Sequence, residues 1–168
     1  MLTIFRQPHR LSTALCLLGA VAALFLAQLP NDTRSEWFRS LTRPEVLPRE
    51  LERKIGFIWT AIFLLAGLAS AAALAADQPK RWKVAILGLT LLTLALNMTY
   101  TYVFTYRHDL TAATWVAAAL AGVIAILILV ASIRRIWLTA LCHLPHLLWV
   151  CFATYVTYRI DHLNPVIS

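Results

Sequence analysis

The side chains able to do chemistry fall on a few helical faces. Thr93, Asn97, Tyr100 and Phe104 recur at i, i+4, i+7 and i+11, which puts them on one side of a helix. His146, Trp149 and Ala153, spaced by three and four with Phe152 alongside, share another. Trp59 and Phe63 stand one turn apart on a third segment. Together they offer aromatic faces, an amide, a phenol and an imidazole. That set suits a flat ligand held by stacking and a few hydrogen bonds. It does not suit acid–base or nucleophilic catalysis, because these segments hold no carboxylate pair and no nucleophile beside a base. They also lack a glycine loop for phosphate. His143 and His146, at i and i+3, resemble metal ligands, but two imidazoles without a carboxylate fall short of a site. Cys16, Cys142 and Cys151 lie in apolar runs at spacings that match no metal or redox motif, so they read as packing residues. No obligatory cofactor is expected.

The elements that must position these faces follow from where charge is absent. The chain has 168 residues, 60% of them hydrophobic and only 14% charged, against about 25% charged in an ordinary soluble domain. Residues 11–31, 55–76, 84–106, 110–133 and 136–158 contain no Asp, Glu, Lys or Arg. Each stretch is long enough for the roughly 20 residues that carry a helix across a hydrocarbon core, and none can cross twice. Strands would need alternation and a closed barrel, whereas Val116–Val130 is apolar all round. The prediction is a single domain over 1–168, an all-α, multi-pass integral membrane protein. It is a bundle of five transmembrane helices near 11–30, 55–76, 83–106, 111–133 and 137–159, with a capping loop over 31–54. The first helix is read as retained rather than as a signal peptide, since its run exceeds an h-region and no clean cleavage site precedes Pro30. The net charge of +7 sits at helix ends, which suits anionic lipid headgroups and excludes nucleic acid as a partner. Seven Lys/Arg fall on one side and eight on the other, so the charge rule leaves orientation open.

Several residues have two readings. Asn97 in hydrocarbon needs a partner, either a neighbouring helix or a polar ligand. Trp59 is close enough to the expected start of its helix to be an interfacial anchor, while Trp149 is mid-span. Pro145 removes a backbone hydrogen bond and should kink the last helix. Gly67, Ala71 and Ala75, and Ala113, Ala117, Ala121 and Ala125, form small-residue stripes. They fit either packing within the bundle or a homodimer seam.

The last helix also carries a resemblance. Pro145-His146-Leu147-Leu148-Trp149-Val150-Cys151-Phe152-Ala153-Thr154-Tyr155, followed by Leu163-Asn164, is similar to the closing motif of the translocator protein family (tryptophan-rich sensory protein, TspO/MBR). Upstream, in the family's order, come Trp37-Phe38 with Leu41, Arg43-Pro44 and Pro48; Trp59-Thr60 with Gly67 and Ala69; and Leu96-Asn97 with Tyr100 and Phe104. The resemblance covers about 32–164. Departures cluster at functional positions: Val46 stands for the loop aromatic, Arg49 for its second proline and Ile62-Phe63 for Leu-Tyr. Thr93 replaces Gln, Tyr100 replaces Trp, His146 replaces Tyr and Thr157 replaces Asn.

The resemblance implies a pocket between five helices, capped by the first loop, that binds porphyrin or haem, or another lipophilic molecule such as a sterol. The residues it implicates are Trp37, Trp59, Phe63, Asn97, Tyr100, Phe104, His146, Trp149 and Ala153. Arg39, Arg43, Arg49 and Arg53 could meet ligand carboxylates at the rim, or form a solvated network with the loop's five acids. The leading expectation is a tetrapyrrole sensor, carrier or buffer. The alternatives are light-dependent porphyrin breakdown using Trp59 and Trp149, or transport of lipophilic molecules. His146 is either an axial ligand for haem iron or a structural residue bonded to a carbonyl that Pro145 frees.

Overall fold

The computed structural model describes residues 18–19 and 36–165, where all regular structure is helical. A short helix, α1 (Glu36–Ser40), precedes four long ones: α2 (Arg49–Ala75), α3 (Lys80–Thr105), α4 (Leu110–Ile133) and α5 (Trp137–Leu163). Helices α2 to α5 are each long and apolar enough to cross a membrane. The span expected over 11–30 lies outside the described residues, apart from Leu18 and Gly19.

The helices begin where the sequence supplies a stop to the preceding loop. Pro48 and Pro79, both extended in ψ, stand at the N-caps of α2 and α3. Asp109 caps α4, accepting the Ala112 amide at 2.8 Å. Glu50 and Glu52 occupy the first turn of α2, where the helix dipole favours negative charge. That is why α2 starts at Arg49 rather than at 55. Its charged opening turns are helix that extends past the apolar run, and the capping segment ends at Pro48. Trp59 consequently lies about 15 Å along α2 but only about 6 Å past the start of the charge-free run at Ile55. α5 runs through Pro145 to Leu163 without interruption. The missing N–H deprives the Leu141 carbonyl of its helical donor.

Burial is distributed as lipid would demand. Phe57, Leu91, Trp115 and Leu148 are 79%, 66%, 72% and 70% exposed, while Thr93, Asn97, Thr139, His143, His146 and Thr157 are buried. Apolar side chains face outward, and hydrogen bonds between polar side chains and neighbouring helices tie the bundle at several points. The Thr139 hydroxyl donates to the Ala69 carbonyl at 2.8 Å, joining α5 to α2. Tyr100 and Thr157 share a 2.9 Å hydrogen bond between α3 and α5. Thr111 donates to Asp161 at 2.8 Å between α4 and α5. Such bonds contribute about 0.6 kcal/mol each in a bilayer, so close packing carries most of the association.

α4 packs most extensively on α5 and then on α3; α2 packs on α5 and touches α3 least. Gly67, Ala71, Ala113 and Ala117 are buried, so this part of the two small-residue stripes packs within the bundle, while Ala125 is exposed. The short connections are tight. Arg135 and His108 both take φ of 56°. At Arg135 the turn lets the Ile136 amide reach back to the Ala131 carbonyl at 2.8 Å and close α4. At the same end Gln78 accepts twice from Arg134, at 2.8 and 3.0 Å, bracing the α2–α3 and α4–α5 connections together.

Candidate functional site

A cavity of about 140 Å³ opens between α2, α3 and α5 beneath the segment that carries α1. α5 lines it with Trp149, Phe152, Ala153, Val156, Thr157 and Ile160. The face read from His146, Trp149 and Ala153 therefore continues two further turns toward the C-terminus. α3 presents Asn97, Tyr100, Thr101, Phe104 and Thr105, and α2 presents Ile55, Trp59 and Phe63. The lid closes the top with Trp37, Phe38, Leu41, Arg43 and Leu47.

The rings form two groups around the space. Trp59 meets Trp149 edge to face, with centroids 6.5 Å apart and planes at 90°. Phe63 lies 5.8 Å from Trp59, and Phe152 lies 5.6 Å from Trp149. Tyr100 stacks on Phe104 at 5.7 Å, and Trp37 turns its edge to Phe104 at 5.5 Å. Offset and edge-on pairs at these distances leave ring faces and edges available to a flat guest. Polar groups are few. The Tyr100 hydroxyl is occupied by Thr157. Asn97 Oδ1 and Trp149 Nε1 are buried without a hydrogen-bond partner among the described residues. Of the two readings of Asn97, a bond to a neighbouring helix is therefore not made by its Oδ1 there.

Besides its apolar packing, three polar or stacking contacts tie down the lid. The Asn164 amide, at the end of α5, accepts the Thr42 N–H at 2.9 Å and donates to the Thr42 carbonyl at 3.0 Å. The Arg43 guanidinium donates to Glu52 at 2.7 Å across the start of α2. The Trp37 indole stacks on the His108 ring at 4.0 Å with planes 13° apart. Leu41 then packs with Leu110, Val156 and Ile160 in a small core under the lid.

Eight of the nine residues singled out in the sequence thus meet around one space: Trp37, Trp59, Phe63, Asn97, Tyr100, Phe104, Trp149 and Ala153. His146 is not among its lining residues. It is buried with its ring 6.0 Å from that of Trp59 and 6.2 Å from that of His143. Neither nitrogen of either imidazole has a partner among the described residues, so the expected bond from His146 to a freed carbonyl is not made there. Thr93 also stays out of the cavity and returns its hydroxyl to the Thr90 carbonyl at 2.7 Å. Of the four rim arginines, Arg43 lines the cavity, while Arg39 and Arg49 join it around a groove on the outer side of the lid. No grouping of three or more His, Cys, Asp or Glu fit to hold a metal occurs among the described residues. His108 had no chemical signal in the sequence, and Asn164 appeared only as the end of the closing motif. One lies in a four-residue connection and the other closes a helix, and only the fold brings them to the lid.

A model of the TspO/MBR family matches residues 12–163 of this chain. A relative in Bacillus subtilis (strain 168), named uncharacterized membrane protein YtaB, is 30% identical over 129 residues, covering 77% of this chain and 81% of the relative.

Proposed function

This chain belongs to the TspO/MBR family and is an integral membrane protein, and from that premise we propose that it binds a tetrapyrrole, porphyrin or haem, and senses, carries or buffers it. In this reading the residues 11–30 supply a fifth membrane span beside α2 to α5. The observation that carries the proposal is the aromatic, sparsely polar cavity walled by Trp59 and Trp149 and closed by a lid. Flat conjugated rings gain most from such walls, and a cavity among membrane helices is reached by lipophilic molecules.

The size of the cavity sets a condition on this function. Its volume of about 140 Å³ is close to that of a cavity that admits one benzene ring, about 150 Å³. Four linked pyrroles exceed it, so a tetrapyrrole enters only with the lid raised. The lid is a short segment held by an apolar contact at Leu41 and a few polar and stacking ties, which fits a segment that opens while the bundle stays intact.

A second reading, light-driven breakdown of the bound porphyrin, draws on the Trp59–Trp149 contact, because two indoles in contact can pass an electron toward an excited ring. Titration of the purified protein with protoporphyrin IX, in the dark and under illumination, tests both. A saturable shift of the Soret band that is stable in light supports binding alone, and bleaching that needs the protein supports breakdown. Trp149→Phe should weaken binding while leaving the helical circular dichroism unchanged. No spectral response to either protoporphyrin IX or haem would defeat the proposal.

A further inference from the structure

Among the described residues Arg43 is the only charged side chain that lines the cavity. Its guanidinium sits 5.0 Å over the Phe38 ring and donates at 2.7 Å to Glu52, an ion pair whose side chains are 29% and 20% exposed. A guanidinium facing an apolar space calls for a carboxylate, and the protein supplies its own from the first turn of α2. The same arginine also borders the outer groove with Arg39, Arg49 and one acid, Glu45; Arg39 and Arg49 have no ion-pair partner among the described residues. Arg43 therefore stands at the doorway between an aromatic chamber and a basic exterior.

We propose that Glu52 is a built-in stand-in for an acidic group of the ligand, so that the site selects an apolar ring system bearing a carboxylate and admits it by exchange at Arg43. This rests on the preceding reading only in taking the cavity as the ligand site. The ligand carboxylate takes the Arg43 guanidinium, and Glu52 turns to solvent at the positive end of α2, where its charge is favoured. Arg43 is paired before and after, so no bare charge is left at the rim. The exchange also undoes one of the three lid contacts, which ties admission of the acid to raising the lid. A second acidic group on the same ligand would emerge toward Arg39 and Arg49. A neutral ligand of the same shape gains none of this and must raise the lid without replacing the Arg43–Glu52 contact.

The test is the ratio of affinities for an acid and its neutral counterpart, measured in the dark. Protoporphyrin IX is compared with its dimethyl ester, and pyrenebutyric acid with pyrenebutanol, in the parent protein and in the Glu52→Gln, Glu52→Ala and Arg43→Gln variants. Every variant loses the ion pair, and comparing each acid with its neutral counterpart within one protein sets lid loosening aside and leaves the charge effect. Both Glu52 variants should raise the acid-to-neutral ratio about three- to tenfold, the size expected when a partly exposed competing charge is removed. Arg43→Gln should lower it toward one. A ratio that is the same in all four proteins for every pair that binds would overturn the proposal. If neither porphyrin binds, the tetrapyrrole reading fails and the pyrene pair alone decides this one. If no acid binds in any variant, both are overturned.

Discussion

Replacing Asn164 with alanine should free the lid while leaving the bundle folded. The Asn164 side chain is buried and makes three hydrogen bonds, to the Thr42 amide at 2.9 Å, the Thr42 carbonyl at 3.0 Å and the Ile160 carbonyl at 2.7 Å. The third stays within the end of α5. The first two hold the lid, and at about 1 kcal/mol net for each they contribute about 2 kcal/mol to its closure. Their loss should raise the opening constant of the segment roughly thirtyfold, since about 1.4 kcal/mol is a factor of ten. Arg43–Glu52 and the Trp37–His108 stack remain, so the lid should still be mostly closed. Amide hydrogen exchange followed by mass spectrometry in detergent or nanodiscs reads this directly. Peptides covering 41–47 should exchange tens of times faster in Asn164→Ala, while peptides from α4 keep their protection. Unchanged exchange over 41–47 would refute the clamp, and equal acceleration throughout would show that Asn164 supports the whole fold instead.

Two other substitutions probe the account away from the lid. His146→Leu removes an imidazole with no hydrogen-bond partner among the described residues, so the thermal midpoint should hold or rise, and the ratio of haem to protoporphyrin IX affinity should not change; selective loss of haem would make His146 an iron ligand. Arg135→Gly relieves a side chain held at φ 56° and should stabilise the protein by about 1 kcal/mol, whereas a lower midpoint in thermal unfolding would mean that the Arg135 side chain makes a contact of its own.

The membrane helices were legible because charge marks their limits. The absence of Asp, Glu, Lys and Arg located four of the five predicted spans to within a few residues, except at the start of α2. There the charges of Arg49–Lys54 read as loop, although a helix capped at Pro48 carries them beyond the apolar run. The cavity wall was legible because helical periodicity puts Asn97, Tyr100 and Phe104 on one face, and Trp149 and Ala153 on another. Periodicity alone does not fix how far into the site a face extends. His146 shares a face with Trp149, yet it lies one turn deeper and outside the cavity, whereas Val156 and Ile160 continue the wall at the other end. Of the lid contacts, the pairing of a loop arginine with a loop acid was legible, and it appears as Arg43–Glu52; those of Asn164 and His108 were not. Asn164 and Thr42 are 122 residues apart, and no local pattern encodes a bond that depends on where the end of α5 meets a loop. His108 meets Trp37 only because a left-handed turn points it across the bundle.

The central claim is that the ligand occupies the space under the lid, and filling that space tests it most directly. Ala153 lines the cavity from α5 between Trp149 and Val156, and a phenyl ring at this position would take up much of its volume of about 140 Å³. Equilibrium titration with protoporphyrin IX, followed at the Soret band, should saturate at one porphyrin per chain in the parent. In Ala153→Phe the affinity should fall at least about tenfold, as expected when a bound ring loses its place between aromatic walls, with helical circular dichroism unchanged. Equal affinity and stoichiometry in the two proteins would contradict the claim and move the ligand elsewhere on the bundle.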